Sequence, residues 1–160
     1  MIVVSDTTPL SELAKVGHLL LLKDVSRRII IPTEVYNELI AADNPLITAV
    51  PLENWIEVRQ VIDTQKVVTL RATKKIGLGE CAAITLAEEI GATRILVDDL
   101  AARREALARG LSVIGTVGIL IIAKQQGLIP SIKEVLDDLI ANGTYISQQL
   151  YQQALTAVGE

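Results

Sequence analysis

Short runs of β-branched residues alternate with longer helical stretches along this 160-residue chain, and that alternation most restricts what it can fold into. The first candidate strand is Ile2 to Ser5. A helix then opens with Thr8 as cap and Pro9 at the first helical position and runs to Val16-Gly17. A short helix over His18 to Asp24, a strand over Arg28 to Ile31 stopped by Pro32, and a helix over Thr33 to Ala42 come next. Residues 44–53 contain two prolines and read as a surface connection, and Trp55 to Val61 reads as an additional strand or edge ribbon. Helices over Gly79 to Glu89, Ala101 to Arg109, Gly118 to Gln126, Ser131 to Ala141 and Ser147 to Val158 follow, with strands at Ile95 to Val97 and Ser112 to Ile114. Such an order predicts an α/β fold whose parallel sheet is covered on both faces. Right-handed crossovers then bring the carboxyl ends of the strands to one edge.

Acids sit at those ends. Ile2-Val3-Val4-Ser5 runs into Asp6, and Arg94-Ile95-Leu96-Val97 runs into Asp98 and Asp99. Glu80 follows Gly77-Leu78-Gly79 at the start of an apolar helix. Open α/β sheets bind ligands beyond the carboxyl ends of their strands, and carboxylates gathered there repel one another unless a cation joins them. Oxygen donors suit a hard ion such as Mg²⁺ or Mn²⁺, which points to a metal-dependent phosphodiesterase. Each acid alone also has a plain structural use, as a helix cap or as an anion in a first turn. With Thr8 read as the cap of the first helix, Asp6 has no such task. Glu34 and Glu38, at i and i+4, repel each other by roughly 0.2–0.5 kcal/mol, which a nearby cation offsets.

Composition narrows the class. Half the residues are hydrophobic, with no Phe and one Trp, which suits a helix-on-sheet interior and argues against a domain that stacks bases on aromatic rings. A length of 160 residues fits one domain, 1–160, with a helical C-terminal extension from about residue 131. A net charge of −4 excludes a globally basic nucleic-acid binder, so attraction to nucleic acid has to come from a local patch or a bound metal. Cys81 is the single cysteine, which excludes an internal disulfide and a cysteine zinc cage; it reads as a small buried residue. Neither a secretory signal nor a run long enough to span a bilayer is evident, and a soluble cytoplasmic protein is expected.

Five segments in order resemble the PIN-domain ribonucleases, and within them the VapC-like branch. They are Val4-Ser5-Asp6-Thr7-Thr8-Pro9-Leu10; Ile31-Pro32-Thr33-Glu34-Val35-Tyr36-Asn37-Glu38-Leu39; Leu78-Gly79-Glu80-Cys81-Ala82-Ala83-Ile84; Leu96-Val97-Asp98-Asp99-Leu100-Ala101-Ala102-Arg103; and Val113-Ile114-Gly115-Thr116-Val117-Gly118-Ile119-Leu120. The likeness covers about Met1 to Ile129. It implies a three-layer α/β/α sandwich with a central parallel sheet and an acidic pocket holding one or two Mg²⁺ or Mn²⁺ ions. By position it implies catalytic roles for Asp6, Glu38, Glu80 and Asp99, and metal ligation by Asp6, Glu80 and Asp99, with Asp98 either a further metal ligand or a neighbour of the site. Thr7 and Thr116 stand where the family often puts a hydroxyl near metal or phosphate. Many members carry Asp where this chain has Glu80, which is one methylene longer. The resemblance also implies an RNA substrate, a homodimer, and, for toxins of the family, a small antitoxin that covers the acidic pocket.

Other features have two readings. Arg103 and Arg104, one helical turn after the paired aspartates, either grip a phosphate or carboxylate or lie on a solvated face. Arg71, Lys74 and Lys75 are a solvated run or a local basic rim for RNA. Ile146, Leu150, Ala154 and Val158 form an apolar stripe that packs on its own domain or serves a partner. His18 reads as a packing or surface residue. Two alternatives to a ribonuclease remain. One is a non-catalytic PIN-like binding or regulatory module. The other is a phosphoaspartyl hydrolase, which the Asp6-Thr7-Thr8 sequence disfavours because that chemistry expects Asp-x-Asp after the first strand.

Overall fold

A computed structural model describes residues 1–160. Five strands form one all-parallel sheet in the order β3-β2-β1-β4-β5: β1 Val3–Ser5, β2 Ile29–Pro32, β3 Ile56–Arg59, β4 Arg94–Leu96 and β5 Val113–Ile114. Strands that are covered on both faces read as continuous apolar runs, as Val3-Val4 and Ile29-Ile30-Ile31 do. Successive side chains then point to opposite faces. Val3, Ile29, Ile31 and Leu96 enter one core, while Val4, Ile30, Ile95 and Val97 enter the other. The result is the three-layer α/β/α sandwich expected from the sequence.

The first core is closed by α1 (Thr7–Lys15), α2 (Leu20–Ser26), α3 (Thr33–Ile40) and α8 (Thr116–Gln125). The C-terminal helices α9 (Ile132–Ala141) and α10 (Gln148–Ala157) belong to the same core through Ile132, Val135, Leu136, Leu139 and Ala154. The second core is closed by α5 (Thr64–Lys74), α6 (Leu78–Glu89) and α7 (Leu100–Ala108). Seven consecutive residues of α6, Cys81 to Ala87, are buried, and most are small enough to let the helix lie close to β1, β2 and β4. Cys81 is one of them, its thiol pushed up to about 11 by burial.

Four local details differ from the sequence reading. The first helix starts at Thr7, so Asp6 rather than Thr8 holds the N-cap position, although its side chain makes no capping hydrogen bond. The 44–53 connection contains a short helix, α4 (Pro45–Thr48), capped by Asn44, and a 3-10 turn at Val50–Leu52. Helix α5, which no apolar periodicity announces, is capped by Asp63 and buries only Val67 and Leu70. The eighth helix opens at Thr116, two residues before Gly118. Strand β3 is one of the two edge strands, which explains why Val58 remains exposed and why its segment does not alternate cleanly. No helix is long and apolar enough to cross a membrane.

The chain winds from β1 outward to β2 and β3, then returns to the other side of β1 with β4 and β5. The order therefore reverses between β1 and β4. In open parallel sheets, the crevice beyond the carboxyl ends at such a reversal is where ligands bind. Asp6 follows β1 there, and Asp98 and Asp99 follow β4.

Candidate active site

Asp6 is the innermost acid, with 2% of its surface exposed. Its backbone N–H donates to the Leu96 carbonyl of the neighbouring strand at 2.9 Å, which fixes the residue at the junction of β1 and β4. Burial pushes its carboxyl up to about 7. The Thr7 backbone N–H opposes that rise, while the negative charges of Glu80, Glu38 and Asp98 add to it.

Glu38 reaches the same place from the second turn of α3. Its carboxylate accepts hydrogen bonds from the Thr7 hydroxyl and from the Gly79 N–H, the latter at 3.1 Å. Gly79 is needed for that approach: a Cβ there would lie 2.7 Å from both oxygens of Glu38. Glu80 occupies the third position of α6, and its Oε2 accepts from the Gly77 N–H at 3.0 Å. Two otherwise orphaned amides of the α6 N-terminus are thus satisfied by carboxylates, which the helix dipole also favours. Burial raises the Glu80 carboxyl, the Gly77 N–H opposes this, and the charges of Asp99 and Glu38 reinforce it.

Asp98 and Asp99 diverge. Asp98 accepts from the Thr116 N–H at 2.8 Å and from the Thr116 hydroxyl at 2.6 Å, tying the end of β4 to the start of α8. Asp99 caps α7 by accepting from Ala102 N–H at 3.0 Å through Oδ2. Both line one cleft of about 420 Å³ together with Glu80 and Thr116. Its opposite wall comes from the α9–α10 connection and the start of α10: Thr144, Tyr145, Ile146 and Leu150.

None of Asp6, Glu38, Glu80, Asp98 or Asp99 pairs with a lysine, arginine or histidine; the ion pairs of the molecule lie elsewhere. Several carboxylates near one another with no cationic partner form a donor set suited to a hard divalent cation. No three of them are gathered closely enough to make a finished metal cage. Protein hydrogen bonds hold Glu38, Glu80, Asp98 and Asp99 in their present positions.

The family model DUF3368, a PIN domain, matches residues 2–160. The chain belongs to the PIN-domain family. PIN domains are generally nucleases and typically use divalent metals. Searches of curated proteins and of solved structures found no match.

Within this PIN domain, Thr7 and Thr116 each hold an acid of the site. Arg103 donates to the Val97 carbonyl at 3.1 Å and pairs with no carboxylate. It stands beside Asp98 across Gly115, where a Cβ would lie 2.7 Å from Asp98 and 2.8 Å from the Arg103 guanidinium. Arg104 is exposed, and Lys74 lies 3.8 Å from Glu105 on the surface. His18 lies at the surface, 4.0 Å from Asp138. Glu34 leaves its Oε1 buried without a partner. Sequence reasoning misses the two close-approach glycines, 79 and 115, and the Thr144–Leu150 wall. The Gly-Leu-Gly and Ile-Gly-Thr segments beside the acids were the available signal for the glycines. Nothing local announces that residues 144–150 fold back over the acids.

Proposed function

We propose that this PIN domain is a ribonuclease dependent on Mg²⁺ or Mn²⁺ that hydrolyses RNA phosphodiester bonds. The observation that supports it best is a set of five carboxylates around the β1/β4 reversal, none of them ion-paired to a lysine, arginine or histidine. Asp6, Glu80, Asp98 and Asp99 would hold the metal. When bound, such an ion polarises a phosphoryl oxygen and lowers the pKa of water.

The side chains have distinct tasks in this reading. Thr7 and the Gly79 amide orient Glu38, and Thr116 orients Asp98. Glu80 engages a protein donor only through Oε2, which leaves Oε1 for the metal or for orienting the attacking water. Arg103 uses Nη1 on the Val97 carbonyl and would offer its remaining guanidinium nitrogens to a phosphate oxygen. The finer biological reading is the toxin of a toxin–antitoxin pair, acting as a homodimer. It rests on the five-segment resemblance and on the apolar side chains of Leu100, Val117, Ile121 and Leu150, which line a second cleft next to Asp98 and suit a small protein partner.

A non-catalytic binding module is the second reading. It is favoured by the lack of a preformed three-acid cage. Calorimetric titration of Mn²⁺ into the wild type and Asp6→Asn, each followed by incubation with RNA, separates the two. The ribonuclease reading expects metal binding that is lost in Asp6→Asn, together with cleavage by the loaded wild type. Metal binding without cleavage of any RNA favours the module.

A further inference from the structure

The wall opposite the acids has its own chemistry. Tyr145 lines the same cleft as Glu80, Asp98, Asp99 and Thr116, yet 88% of its surface is exposed. The other aromatic rings are Trp55, which is buried, and Tyr36 and Tyr151, which are partly covered. Tyr151 also spends its hydroxyl on Asp137, at 2.7 Å, whereas the Tyr145 hydroxyl has no hydrogen-bond partner in the protein.

The backbone around Tyr145 is tied down on both sides. The Thr144 hydroxyl donates to Glu12, and the Thr144 N–H donates to Leu139 O at 3.0 Å. Lys15 holds Asn142 O at 3.3 Å and pairs with Glu12 at 3.0 Å. On the far side, Ile146 packs on the core and Ser147 caps α10 through the Leu150 N–H at 3.1 Å. A ring left in water on an anchored loop, at the rim of the cleft that Glu80, Asp98 and Asp99 line, has no packing role of its own.

We infer that Tyr145 is a stacking platform for one nucleobase of a single-stranded RNA, next to the phosphate held at the acids, with Leu150 as the apolar edge of that subsite. This rests on the ribonuclease reading. Every base has a π-face, so the platform favours single strands without selecting a sequence. The scarcity of aromatic residues excludes an extended base-stacking surface and leaves a single exposed ring for one base.

The test is steady-state cleavage of a labelled single-stranded RNA with Mn²⁺ by the full chain, comparing wild type with Tyr145→Ala, Tyr145→Phe, Tyr145→Leu and the remote exposed control Leu52→Ala. Tyr145→Ala is expected to raise KM about 5- to 100-fold while kcat stays within about twofold. Tyr145→Phe retains wild-type KM, and Tyr145→Leu does not. An abasic residue beside the mapped cleavage site should raise the wild-type KM and leave that of Tyr145→Ala unchanged. Unchanged KM in Tyr145→Ala, or full rescue by Tyr145→Leu, overturns the platform while leaving the nuclease intact. Absence of RNA cleavage by the wild type overturns the nuclease reading and the platform with it.

Discussion

Asp6 concentrates the electrostatics of this site in one side chain. Its carboxyl titrates near 7 in the fold against an ordinary value of 3.8, so the unfolded chain gives up the proton first. A carboxyl raised in this way costs the metal-free protein nothing below about pH 4. It lowers stability progressively as the pH rises to about 7, by an amount on the order of a few kcal/mol. Asp6→Asn removes that dependence. Thermal melts with EDTA should therefore show the variant gaining on the wild type between pH 4 and pH 8, and equal gaps at the two pH values would contradict the burial argument.

Gly79 makes a complementary case. In Gly79→Ala, the methyl group would press on the flexible end of Glu38 rather than on backbone. Stability should remain within about 1 kcal/mol of wild type, while RNA cleavage falls about 100-fold if Glu38 has the catalytic role proposed for it, because the substitution displaces it. Equal cleavage by the two proteins would remove Glu38 from the machinery.

At the level of elements, the strands were the most legible part of the chain. Ile29-Ile30-Ile31 and Val3-Val4 are apolar on both faces, which only a doubly covered strand tolerates, and the acids directly after them declared the ligand-binding edge. Helix ends were less legible: Thr8-Pro9 matched a capping pattern, yet the turn begins at Thr7 because Asp6 is held by the β1–β4 ladder. Helix α5 is not legible in the sequence, since two buried residues in eleven leave almost no periodic signal. The paired aspartates also could not be separated by reading. Asp99 both caps α7 and faces the cleft, and substitution can part these tasks. Asp99→Ala should cost about 1 kcal/mol through the lost cap, and Asp99→Ser should restore it. Cleavage should fall in both variants; a fully active Asp99→Ser would leave Asp99 as a cap alone.

Across the whole molecule, topology does what no local pattern can. Reversal of the strand order beside β1 sets Asp6 next to the end of β4. The first turns of α6 and α8 then deliver Glu80 and Thr116 to the same edge. The C-terminal helices pack on the first core and bring Tyr145 and Leu150 to the cleft that Glu80, Asp98 and Asp99 line, more than 40 residues after Asp99 in the sequence. None of the five carboxylates is ion-paired within the protein, so the proposed nuclease needs a metal ion that joins them. Cleavage of a mixed RNA pool with Mn²⁺ or Mg²⁺ tests it most directly, using wild type, Asp6→Asn and an EDTA control. A metal-dependent nuclease centred on Asp6 should show cleavage by the wild type, lost with EDTA and reduced about 100-fold or more in Asp6→Asn. Cleavage that persists in EDTA or in Asp6→Asn, or metal-loaded wild type that leaves every RNA intact, would contradict it.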